Sequence, residues 1–89
     1  MALIYFPLAL QAYLPIHPVV LPPAQSVEPL LRQLGQHSPP LQQALWLAEQ
    51  LHPALYLLLN QQPCSWSQLR QQQLAADDQL WIIQPLSGG

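Results

Sequence analysis

One stretch constrains the fold of this chain more than any other. Val27, Leu30, Leu31 and Leu34 recur at i, i+3, i+4 and i+7, the spacing that puts apolar side chains on one stripe of an α-helix. Ser26 stands where an N-cap belongs, Glu28 suits the first turn, and Gly35 is placed to stop the helix. Pro29 falls early enough that the helix has no use for its missing N–H. A single well-marked helix must bury its stripe against something else, and the two apolar runs before it are too short to be helices.

Those segments read as strands. Ala2–Phe6 is a β-rich run ended by Pro7, and "PVVLPP" is a second short run between prolines. These two are expected to pair as an antiparallel hairpin with a long loop. After the main helix, "SPPLQQALWLAEQL" begins with a Ser-Pro cap, and Leu41, Ala44, Leu45 and Ala48 predict a second, shorter helix. Ala54 to Leu59 reads as a buried strand ending at Asn60, with a short strand over Pro63–Trp66. Ala75–Asp78 is a turn, and Gln79–Gln84 is the last strand. The order β, β, α, short α, β, β, β predicts an α+β roll, with four to five strands in a mixed sheet on one main helix. The first and last strands are expected to be central neighbours.

Composition excludes several functions. Only 7% of residues are charged, there is no Lys, and Arg32 and Arg70 are the only basic side chains besides His, in a chain of net charge −2. Nucleic acid needs a basic footprint, so it is not the expected partner. Pro7, Pro15 and Pro18 interrupt the apolar N-terminal stretch well short of the ~18 apolar residues of a membrane span. A single cysteine, Cys64, leaves no internal disulfide and suits a reducing cytoplasm. His17, His37, His52 and Cys64 match no metal spacing, Cys64 has no visible base, and Asp77-Asp78 reads as a solvated turn.

The chain ends in "QPLSGG". Gly is costly to order and is favoured where a side chain would obstruct. On composition alone, such an end is as consistent with slack as with a tail whose carboxylate enters a narrow site. The surrounding pattern favours the tail. Tyr5-Phe6 close the first strand, Leu57–Asn60 run into a turn, and Leu74–Ile83 pass through an acidic turn into a hydrophobic strand. Pro85, Leu86, Ser87, Gly88 and Gly89 follow. Together these resemble the ubiquitin-like β-grasp sulfur-carrier family, and within it the small, sulfur-carrier subunit of molybdopterin synthase. The resemblance departs at Asp77, where the family favours Gly, at Gln84, where it favours Pro, and at "PLALQAYL", where it often has an Arg-Glu pair.

The resemblance implies a domain over residues 1–84 with a flexible Gly-Gly tail at 85–89. An ATP-using adenylating enzyme would activate the Gly89 carboxylate, and sulfur would replace AMP to give a thiocarboxylate. That group would donate sulfur in molybdopterin biosynthesis within a heteromer, with no cofactor resident on the chain. Gly88 and Gly89 would thread the partner's channel, while Phe6, Ile83, Pro85, Leu86 and Ser87 would meet the large synthase subunit. Carriers for thiamine thiazole or tRNA thiolation are the near alternatives, and a β-grasp protein-interaction module with an inert tail is the distant one. By alternation, Leu80 and Ile82 face one side of the last strand, Trp81 and Ile83 the other.

Overall fold

The computed structural model describes residues 1–84. Its elements are β1 (Ala2–Tyr5), α1 (Leu8–Gln11), β2 (Val19–Leu21), α2 (Val27–Gln36), α3 (Pro39–Leu45), β3 (Trp46–Leu47), β4 (Gln50–Leu51), β5 (Tyr56–Leu59), β6 (Gln62–Cys64), α4 (Trp66–Leu69) and β7 (Gln79–Ile83). Five strands form one mixed sheet in the order β2-β1-β7-β5-β6, while β3 and β4 form a separate hairpin. β1 and β7 run parallel at the centre, and the other sheet pairs are antiparallel. This is the α+β, ubiquitin-like β-grasp architecture, with its first and last strands adjacent.

One face of the sheet packs on the helices. Ile4, Leu21, Leu57, Leu80 and Ile82 meet Val27, Leu30 and Leu31 of α2 and Leu41 and Leu45 of α3 in a single core. Burying each such side chain is worth about 1.5–3 kcal/mol, so the α2 stripe and the even-numbered β7 positions each contribute directly to the fold's stability. Ser26 does occupy the α2 N-cap position, yet its hydroxyl makes no cap bond. It donates instead to the Gln71 carbonyl (3.3 Å), and the Glu28 N–H donates to the Arg70 carbonyl (2.9 Å). The segment after α4 therefore supplies an acceptor at the start of α2.

Five local readings are corrected. Gly35 does not stop α2; it lies inside the helix, buried, with His37 as C-cap. A Cβ there would run into the Gln42 side chain and lie 3.3 Å from Gln42 Cα, so the glycine is set by the close approach of α3. The second helix ends at Leu45, because Ala48 (φ 52°) and Glu49 (φ 66°) make the two-residue turn of the β3–β4 hairpin. The strand expected over 63–66 is Gln62–Cys64, and Trp66 instead opens α4, capped by the Ser65 hydroxyl, which accepts from the Gln68 N–H (3.3 Å). The strand expected from Ala54 begins at Tyr56. The first loop also holds the short helix α1, for which no apolar period was visible. Among the described residues, no helix is long and apolar enough to cross a membrane.

Candidate functional site

The strands alternate sides, so the face turned away from the helices collects Leu3 and Tyr5 of β1, Val20 of β2, Trp81 and Ile83 of β7, and Tyr56 and Leu58 of β5. The register joins them. Leu3 is opposite Val20, Tyr5 opposite Trp81, Trp81 opposite Leu58, and Ile83 opposite Tyr56. Tyr56 is 61% exposed, Val20 and Trp81 each 40%, and Ile83 37%. No carboxylate, amine or guanidinium belongs to this set. A contiguous exposed apolar surface of this kind is a candidate for a binding partner.

Ile83 thus lies on an exposed apolar face, at the last position of β7. Phe6 does not join it. Phe6 is 3% exposed and lies in the core cluster with Ile4 and Ile82. Its N–H donates to His17 Nε2 (2.8 Å) and its carbonyl accepts from Gln11 Nε2 (3.1 Å). The expectation that Phe6 and Ile83 form one exposed patch is therefore corrected: Ile4 faces inward, and two residues on, so does Phe6. Tyr5 is the aromatic that β1 offers to the outer face, and parity with Ile4 was the signal that could have found it. Pro85, Leu86, Ser87, Gly88 and Gly89 lie outside the described residues.

The start of β7 is fixed by the acidic turn. Asp78 Oδ1 accepts from Asn60 Nδ2 (2.8 Å) and Asp78 Oδ2 from the Ala75 N–H (2.8 Å). The Asn60 N–H donates to the Gln79 carbonyl (2.8 Å), while Asn60 Oδ1 accepts from the Gln79 N–H (2.9 Å). Asn60 and Gln61 adopt positive φ (51° and 69°) as the β5–β6 hairpin turn. Two tight turns thus lock each other and set the register of the strand that leads to Gln84.

A second polar cluster fastens the helical layer. Glu28 accepts from Arg70 Nε (2.8 Å) and is bridged by Arg32 Nη2 (2.9 Å). Partial burial pushes its carboxyl up, but the hydrogen bonds and charges of Arg70 and Arg32 outweigh this and hold it below its usual value. Arg32 also donates to the Glu49 carbonyl (2.8 Å) and lies 4.1 Å over the Trp46 ring. Both arginines are thereby engaged in structure, away from the outer sheet face. His52 Nδ1 accepts from the Ala54 N–H (3.1 Å). Burial pushes the Cys64 thiol up, against a smaller opposing effect of the Leu59 backbone.

The mixed five-strand sheet wrapped on α2, with parallel β1 and β7 at its centre, defines a β-grasp carrier-type domain. The model of the ThiS family matches residues 15–89. The chain belongs to this family, and membership makes it a sulfur carrier; such carriers act with an adenylating enzyme and a synthase. No curated protein and no solved structure matches the chain.

Proposed function

We propose that the chain is the cytoplasmic sulfur carrier of molybdopterin synthase, handing sulfur to the large subunit from a thiocarboxylate at Gly89. The observation that carries this choice among pathways is α3 with the β3–β4 hairpin, inserted between α2 and β5; carriers for thiamine thiazole tend to be shorter there. In the proposed chemistry, a Gly89 carboxylate oxygen attacks the α-phosphorus of ATP in the adenylating enzyme and pyrophosphate leaves. A persulfide sulfur then adds to the acyl carbon and AMP leaves. A thiol cleaves the resulting acyl disulfide, is itself oxidised to a disulfide, and frees the thiocarboxylate. ATP is the activating enzyme's substrate, so the carrier needs no resident cofactor.

The chain's own contribution is access and alignment. Gly88 and Gly89 present no Cβ to a narrow channel. Pro85 restricts the exit from β7 and so lowers the entropy lost on docking. Ile83, Leu86 and Ser87 contact the large subunit, with Ile83 on the apolar face beside that exit. The test offers the thiocarboxylated chain to three acceptors in parallel: the large subunit with the cyclic pterin precursor, a thiazole synthase, and a tRNA thiolase. Dithiolene formation with the first alone is expected. Sulfur transfer to either of the others, with none to the first, would reassign the pathway. Transfer to none would leave a protein-interaction module.

A further inference from the structure

At the end of the sheet where β7 finishes, a groove of about 370 Å³ opens between the β5–β6 edge and the segments on either side. Leu51, Leu55, Tyr56, Pro63, Cys64 and Trp66 line most of it. Its polar lining is His52, Ser65 and Cys64, whose thiol burial pushes up, and no carboxylate, amine or guanidinium lines it. Tyr56 belongs to two surfaces at once. It is opposite Ile83 in the register, and it forms one wall of the groove. The outer sheet face therefore continues over Tyr56 into the groove without a charged break.

Area shows why the groove matters. Judged from their fractional exposures, Tyr56, Trp81, Val20 and Ile83 together present roughly 400 Å². A standard protein–protein interface takes about 800 Å² from each partner and concentrates its energy where a side chain fills a desolvated pocket. The exposed face is about half of that. The groove next to it supplies such a pocket.

We propose that this groove is the anchor pocket of the docking surface, and that it receives an uncharged apolar side chain from the sulfur-accepting large subunit. The proposal rests on the function proposed above. An anchor in the groove would add to the contacts at Ile83, which is opposite Tyr56 in the register.

Cys64 carries the chain's one thiol, so N-ethylmaleimide on the carboxylate form fills the groove without any substitution. Burial raises that thiol, so the reaction is run at mildly alkaline pH, with circular dichroism as the folding control. The alkylated chain is then titrated against the large subunit, beside Tyr56→Ala, whose side chain is exposed enough to leave the fold intact. Both are expected to bind about tenfold more weakly or worse, and saturating large subunit is expected to slow Cys64 alkylation by a similar factor. Should the adduct unfold the chain, Tyr56→Ala and the protection experiment decide. Unchanged affinity of a folded variant, or alkylation indifferent to bound large subunit, overturns the pocket; wild-type binding and sulfur transfer then leave the carrier function standing. A wild-type chain that neither binds the large subunit nor transfers sulfur to it would overturn both.

Discussion

Tyr5 and Trp81 stack in parallel across the central strand pair, with ring centroids 4.1 Å apart and planes 6° from coplanar. The contact is made on the face opposite the helices, so it stiffens the two central strands while leaving Trp81 40% exposed. A stacked pair of this kind contributes about 0.5–1.5 kcal/mol beyond its buried area. Trp81→Ala removes this contact and the ring's buried area together, so it is expected to lower stability by more than that amount and to weaken binding to the large subunit as well. Chemical denaturation and a binding titration on the same sample check both.

Phe6 and Ile83 are expected to separate cleanly. Phe6→Ala opens a cavity in the core and should cost about 3–5 kcal/mol of stability. Ile83→Asp leaves the core untouched and should fold normally, with affinity for the large subunit reduced by about one to two decades. Urea denaturation of both variants tests the assignment. A Phe6→Ala chain as stable as wild type, or an Ile83→Asp chain that unfolds, would mean the two faces are reversed.

Asp78 ties the β5–β6 turn to the start of β7 through Asn60 and Ala75. Asp78→Ala removes both acceptors at a half-buried residue and should cost about 1–2 kcal/mol. Amide exchange should quicken first at Ala75, whose N–H loses its partner.

Glu28 predicts a pH dependence. Its folded pKa is lowered, so the unfolded chain binds its proton at a higher pH than the native one does. Its contribution is complete above the ordinary carboxylate range and is lost as the pH falls through the lowered folded value. Glu28→Gln should be less stable by about 1–3 kcal/mol near neutrality and should lack this part of the acid dependence. Thermal melts across the acidic range, wild type against variant, check the sign.

Much of this fold is legible in the residues because short- and long-range signals agree. The Val27–Leu34 stripe, the Gln79–Ile83 alternation and the prolines bounding β2 each reappear as structure. What escaped has identifiable causes. Ala48-Glu49 is not a turn sequence that propensity would select, since its left-handed backbone is imposed by hairpin pairing and by Arg32 on the Glu49 carbonyl. Helices α1 and α4 have four residues each, too few for a period to show. Gly35 carries the residue type of a helix stop, yet its position is set by Gln42 of the next helix. Tyr5 was hidden by its neighbour Phe6, because choosing between adjacent aromatics requires the inward parity of Ile4. The groove draws on residues 51–53, 55–58 and 63–66 and has no local sequence signature.

The central claim is that Gly89 carries the sulfur, and intact mass tests it most directly. The chain is incubated with its adenylating enzyme, ATP, a persulfide donor and a thiol reductant, beside a variant lacking Gly89. The account predicts that the full chain gains the mass of one oxygen exchanged for one sulfur, while the shortened chain keeps its mass and its thermal stability. An unchanged full-length mass with a demonstrably active enzyme, or equal sulfur incorporation by the chain without Gly89, would contradict it.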